Sequence, residues 1–226
     1  MNQDFEMKTI IGFIQSNSTI KKFKYYKSFF YKWKELLNKT SKSDLFYLAN
    51  NTTDNDQAYV YNYMLFNKTI TFSFSIPYIK RFYELDKDNK LFPEVNIINN
   101  NKHLYLENYT CFYDYCEEID ESVFFNTNDV IFIGPIPTTP LSYTVLDGNH
   151  RVSSMVNADV PIIKSKLCIP DVLIKSLATP FQIAAYCCLF DIRIIECNLG
   201  EYPDLLIKKQ LYIFNSESFV NNLDKR

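Results

Sequence analysis

Glycine is nearly missing from this chain, at 4 of 226 residues. That scarcity excludes collagen-like repeats and Gly-rich linkers. Neither G-x-x-x-x-G-K-[ST] nor G-x-G-x-x-G occurs, so multi-glycine phosphate loops are excluded as well. Histidine is almost as rare, at 2, and the 6 cysteines (Cys111, Cys116, Cys168, Cys187, Cys188, Cys197) fall at no zinc-ligand spacing. A conventional metal centre therefore has few ligands to draw on. No apolar run approaches the roughly 20 residues that a membrane span needs. Residues 1–8 lack the basic stretch and apolar core of a signal peptide. The Asn-x-Ser/Thr triplets at Asn38, Asn67 and Asn108 then carry no weight as glycosylation sites, and a cytoplasmic location with reduced thiols is expected. A net charge of −2 supplies no global attraction for nucleic acid.

What the chain does have is aromatic bulk, 17 Tyr and 19 Phe, within a composition 47% apolar and 22% charged. This is globular, with enough apolar material for a sizeable core. No repeat or low-complexity linker divides it, so a single domain over 1–226 is expected. It would comprise a helical N-terminal subregion (1–68), a core (69–200) and a C-terminal extension (201–226). Residues 5–15 and 19–38 have helical spacing, with Ile20, Phe23, Phe30, Trp33 and Leu37 on one stripe and Lys21, Lys22, Lys24, Lys32 and Lys34 opposite. Residues 1–42 hold nine lysines against three acids. Such a face suits plain solvation of an amphipathic helix, a phosphate backbone or an anionic membrane surface. A further helix is expected near 54–66, opened by Asp54 or Asp56.

Thr69–Ile76 alternates apolar and polar residues and reads as a strand, and Pro77 opens a helix over 77–85. The Asn-rich stretch 86–101 reads as a surface loop. Residues 129–134 and Ser142–Leu146 are short β-type runs joined by the proline-rich segment Pro135–Pro140, which suits a hairpin. A strand over Val160–Leu167 follows, then helices over 170–177 and 179–190, the latter capped by Thr179. Late strands are expected at Ile192–Cys197 and Gln210–Phe214, with Ser216 capping a last helix. The fold class is α+β. Cys187 and Cys188, inside an apolar run, read as buried small hydrophobes.

The segment that carries chemistry is Asp147-Gly148-Asn149-His150-Arg151, set between a strand and a short helix. A glycine at the strand end allows a sharp turn, and the helix that follows adds its positive N-terminal end, a natural anion site. Arg151 offers a bidentate fork for phosphate, and His150 a second donor or a proton-transfer group. Asp147 can cap the helix, orient His150 or Arg151, or hold a Mg²⁺ that accompanies phosphates. Against this, Asp-Gly-Asn is also a common surface turn.

Tyr143–Val152, followed by Val160-Pro161-Ile162-Ile163, resembles the signature of the ParB/sulfiredoxin-like superfamily: a strand, a D-G-x-H-R-like turn, a helix and a "VP" strand. Gly134-Pro135-Ile136 is similar to the family's preceding strand. The resemblance implies a mixed sheet with flanking helices over the core. It also implies phosphate binding by Gly148, Asn149, His150 and Arg151, with Asp147 near a reacting phosphoryl group. ATP, ADP or CTP with Mg²⁺ would be the ligand, with Asp147 as metal ligand and Asp147 and His150 in catalysis. Sulfiredoxins place a catalytic cysteine where Asn149 stands, so sulfinic-acid repair is not expected. The arginine-rich turn of the partition proteins is absent. Closest is the D-G-H-T-R-like turn of kinases acting on free serine, which also need a carboxylate base; Glu117, Glu118, Asp120 and Glu121 are upstream candidates. Three functions stay open: a Mg²⁺-dependent phosphotransferase or nucleotide hydrolase, a nucleic-acid-associated regulator or nuclease, and a binding module without chemistry.

Overall fold

The computed structural model describes residues 3–43, 57–117, 130–138, 141–215 and 223. Eight helices and eight strands follow one another along these residues: α1 (Gln3–Ser16), α2 (Ser18–Lys22), α3 (Tyr26–Thr40), β1 (Ala58–Leu65), β2 (Lys68–Ser75), α4 (Ile76–Leu85), β3 (Glu94–Asn100), β4 (His103–Leu106), β5 (Tyr109–Phe112), β6 (Phe132–Ile136), β7 (Ser142–Asp147), α5 (Asn149–Asn157), β8 (Ile162–Leu167), α6 (Pro170–Lys175), α7 (Pro180–Asn198) and α8 (Asp204–Gln210). The class is α+β. Two compact units form, one from residues 1–55, 60–73 and 177–226, the other from 56–59 and 74–176. No helix among the described residues is long and apolar enough to cross a membrane.

The first unit is built around α7. Thr179 caps it, its hydroxyl accepting the Gln182 N–H at 3.1 Å, and Pro180 occupies its first turn, where a missing N–H does no harm. The aromatic stripe expected to be core is core: Phe23, Phe30, Trp33 and Leu37 are all buried. The helix expected over 19–38 is broken, however. Phe23 ends α2, and the backbone N–H of Lys24, freed by the break, donates to the Asp204 carboxylate at 2.6 Å. Inside the unit the Asp191 carboxylate accepts from Trp33 Nε1 (3.1 Å) and from the backbone N–H groups of Tyr212 (2.7 Å) and Ile213 (3.1 Å).

Two expected strands are corrected in this unit. The expected strand at Ile192–Cys197 is the continuation of α7: Ile192 and Ile195 fall three apart on its buried side, while Arg193, Ile194 and Glu196 are half-buried and Cys197 is exposed, a helical period that the β-branched residues mask. The expected strand at Gln210–Phe214 is a turn, whose N–H groups bond to Asp191 rather than to a neighbouring strand. The helix expected near 54–66 is also overturned. Tyr59, Tyr61, Tyr63 and Leu65 alternate toward the more buried side as strand β1, which turns into β2 through Phe66 and Asn67, both at positive φ.

The second unit is a closed six-stranded barrel in the order β3-β4-β5-β7-β6-β8. Its core gathers Ile97, Leu104, Leu106, Cys111, Ile133, Val145 and Ile163, with Val152 and Val156 added from α5. The Asn-rich stretch expected to be loop contains β3. Val95 and Ile97 turn toward the core, and the asparagines supply the tight turn into β4, where Asn101 and Lys102 stand at positive φ. The proline-rich connection does form a hairpin: β6 and β7 pair antiparallel with Ile136 opposite Ser142. Gly134 lets α6 press on β6, since a Cβ there would stand 2.8 Å from Leu173 Cδ2 and 2.9 Å from Leu146 Cδ1. The residues around Ser216 and the Asp54 and Asp56 caps lie outside the described residues.

Candidate functional site

The barrel brings the Asp147–Arg151 segment to the junction of β7 and α5. β7 ends at Asp147, Gly148 stands alone between the elements, and α5 begins at Asn149. Gly148 has φ 98°, a left-handed conformation that only glycine adopts cheaply. It is the N-cap, and no side chain caps this helix, so Asp147 is not a helix cap. A Cβ on Gly148 would meet Arg151 Nη2 at 3.0 Å and Ile131 Cγ1 at 3.1 Å. The glycine is therefore needed twice, for its turn and for the guanidinium folded over it.

Beside this turn lies a cleft of about 250 Å³ lined by Lys80, Tyr83, Glu84, Val130, Phe132, Asp147 and Arg151. Helix α4 supplies one wall. Ser75 caps α4 by accepting the Tyr78 N–H at 3.3 Å, and Lys80, Tyr83 and Glu84 follow at i, i+3 and i+4, on one face. Tyr83 and Phe132 form an aromatic floor and pack edge-to-face with the buried Phe92 beneath, centroids 5.2–5.7 Å apart. Lys80 Nζ stands 2.9 Å from Asp147 Oδ2, and both side chains retain solvent access. Arg151 Nη2 donates to the Val130 carbonyl at 3.1 Å, which holds the half-buried guanidinium in the cleft wall.

The expected site residues divide into two groups. Asp147 and Arg151 share the cleft. Asn149 is turned elsewhere, accepting the Asp114 N–H at 2.9 Å and donating to the Val145 carbonyl, so its side chain ties the chain after β5 to α5. His150 is exposed on the first turn of α5 and does not line the cleft. Lys80 was not singled out by the sequence, and its only signal is the i, i+3, i+4 pattern after Pro77. Of the suggested upstream bases, Glu117 is exposed and away from the cleft lining, and the other three lie outside the described residues. Among the described residues no three His, Cys, Asp or Glu side chains cluster as a metal-only site. Asp147 and Glu84 both line the cleft, and Asp147 is paired with Lys80. Cys111 is buried and its thiol is pushed up to about 12, and the buried Cys168 and Cys188 thiols are raised as well.

Comparisons with protein-family models, with curated proteins and with solved structures return no match.

Proposed function

We propose that the second unit is a ParB/sulfiredoxin-like domain that binds nucleotide phosphate in the Lys80–Asp147–Arg151 cleft. ATP, ADP or CTP with Mg²⁺ is the ligand, and phosphoryl transfer or hydrolysis the reaction. The observation that carries this is the pairing of a strand–glycine–helix turn with two cations in one cleft. The α5 N-terminus, Arg151 and Lys80 are the groups that a polyphosphate requires, and the aromatic floor offers an apolar surface to the rest of the ligand. Asp147 neutralises Lys80 through the ion pair. A Mg²⁺ taken up by Asp147 would release the ammonium group to a phosphate oxygen, so metal and nucleotide binding reinforce each other. Catalysis then rests on positioning and charge neutralisation.

Titration calorimetry with ATP, ADP and CTP, with and without Mg²⁺, tests the proposal on three variants. Lys80→Ala and Arg151→Ala should each weaken nucleotide binding, Arg151→Ala by about 30- to 150-fold for a charge-assisted contact. Asp147→Asn should leave metal-free binding unchanged or tighter, abolish the Mg²⁺ enhancement and lower turnover by at least about a hundredfold. Unchanged affinity in both cation variants overturns the anion site. Normal binding without turnover in the parent selects the non-catalytic module.

A further inference from the structure

The first unit carries a basic and apolar face that the nucleotide proposal does not use. Lys208 Nζ lies 4.5 Å from the Tyr25 ring centroid and 5.0 Å from that of Phe214. Lys24 Nζ lies 5.9 Å from Tyr25, and Lys32 Nζ 5.6 Å from Phe214. Three ammonium groups are thus gathered around two half-buried rings, and none of them has a carboxylate within 4.0 Å among the described residues. Asp204, the acid that opens α8, is committed to the Lys24 backbone N–H. Ile207 anchors α8 in the core, 1% exposed, while Leu205 and Leu206 stand 53% and 47% exposed. Leu205 precedes Lys208 and Lys209 by three and four residues, so apolar and cationic side chains share one helix face. Tyr202, also exposed, lies just before it in sequence.

We propose that this face, formed by the α2–α3 break and α8, docks on an anionic membrane surface. Charge complementarity and the leucine pair favour that occupant. Lysines at the rim meet headgroup phosphates, and short aliphatic side chains beside them enter the boundary of the acyl region. A nucleic acid duplex uses the lysines but has no use for exposed aliphatic leucines, and a single strand also needs open aromatic faces for stacking bases. The Tyr25 and Phe214 faces carry ammonium groups instead.

Co-sedimentation with vesicles of phosphatidylcholine containing about one-third phosphatidylserine tests the proposal, against pure phosphatidylcholine vesicles and a DNA duplex. Binding should require phosphatidylserine and weaken with salt. The triple variant Lys24→Ala, Lys208→Ala, Lys209→Ala should bind about a hundredfold more weakly, at about fivefold per lysine. Because Lys208 also packs on two rings, the exposed pair Leu205→Ser, Leu206→Ser provides a second reading. It should lower partitioning by about tenfold or more while keeping the salt dependence. Absence of binding to the anionic vesicles overturns the proposal, as does tighter binding to the duplex. So does a leucine variant that binds like the parent, or a dimer that the leucine changes dissolve.

Discussion

Asp191 makes the stability of the first unit depend on pH in an unusual direction. The carboxyl group is fully buried. Burial pushes it from 3.8 up to about 8, against the lowering effect of the Ile213 and Tyr212 N–H groups and the Trp33 indole. A raised carboxyl means that the folded state holds its proton more tightly than the unfolded chain. The stability contributed is therefore complete below 3.8 and is lost as pH rises toward about 8. Between about pH 5 and about pH 7 the slope approaches its one-proton limit, so stability should fall there by an amount on the order of 2–3 kcal/mol. Asp191→Asn removes the titration and keeps the shape. Its carbonyl can take the place of Oδ2, which accepts two donors, while its amide faces the Tyr212 N–H and loses that bond. The loss is a pH-independent penalty of about 1–3 kcal/mol. Urea unfolding of parent and variant across the window measures both terms. Subtracting the two curves cancels every other titrating group, including Glu6, whose buried carboxyl is raised in the same way. The gap between parent and variant should narrow steadily with rising pH and then reverse or level off. A constant gap would show that Asp191 ionises alike in the folded and unfolded chains, and the argument from burial would fail.

Gly148→Ala combines a strained φ with a Cβ pressed against Arg151, and it should cost about 1–3 kcal/mol in thermal unfolding and loosen nucleotide binding together. Equal melting temperatures would mean that the turn relaxes freely. Gly12 sits inside α1 with nothing within 4 Å of a Cβ added there. Gly12→Ala should accordingly stabilise the first unit by about 0.5–1 kcal/mol, measured by denaturant midpoint, with destabilisation the contrary result.

The class, the buried aromatic stripe and the strand–glycine–helix turn were legible because each rests on a local period or a residue with one conformational purpose. Phe23, Phe30 and Trp33 repeat at helical spacing, and Gly148 stands where a positive φ is required. The errors arose where a distant partner decides the conformation. Ile192–Cys197 has the β-branched look of a strand, but it continues α7, with Ile192 and Ile195 on the buried side and Cys197 exposed. Tyr212 and Ile213 would suit a strand, but their N–H groups are claimed by Asp191, about twenty residues upstream. In the cleft, Arg151 and Asp147 announced themselves within five residues. Lys80 lies 67 positions before Asp147 and becomes its partner only once the barrel has closed.

The division of the chain has a consequence for the order in which it is made. The barrel unit is nearly continuous, from 74 to 176, whereas the first unit is assembled from both flanks of that stretch. The bond between Trp33 and Asp191 spans 158 residues. At ribosomal rates of about 5–20 residues per second, α3 waits about 8–30 s for the helix on which it packs. During that time α3 and its aromatic residues Phe29, Phe30 and Trp33 lack α7 as a packing partner, while residues 74–176 emerge behind them. The newborn chain thus holds this aromatic segment without its α7 partner until residues 180–198 are translated. A holding chaperone that recognises aromatic stretches would bind it there, and release would coincide with the appearance of α7.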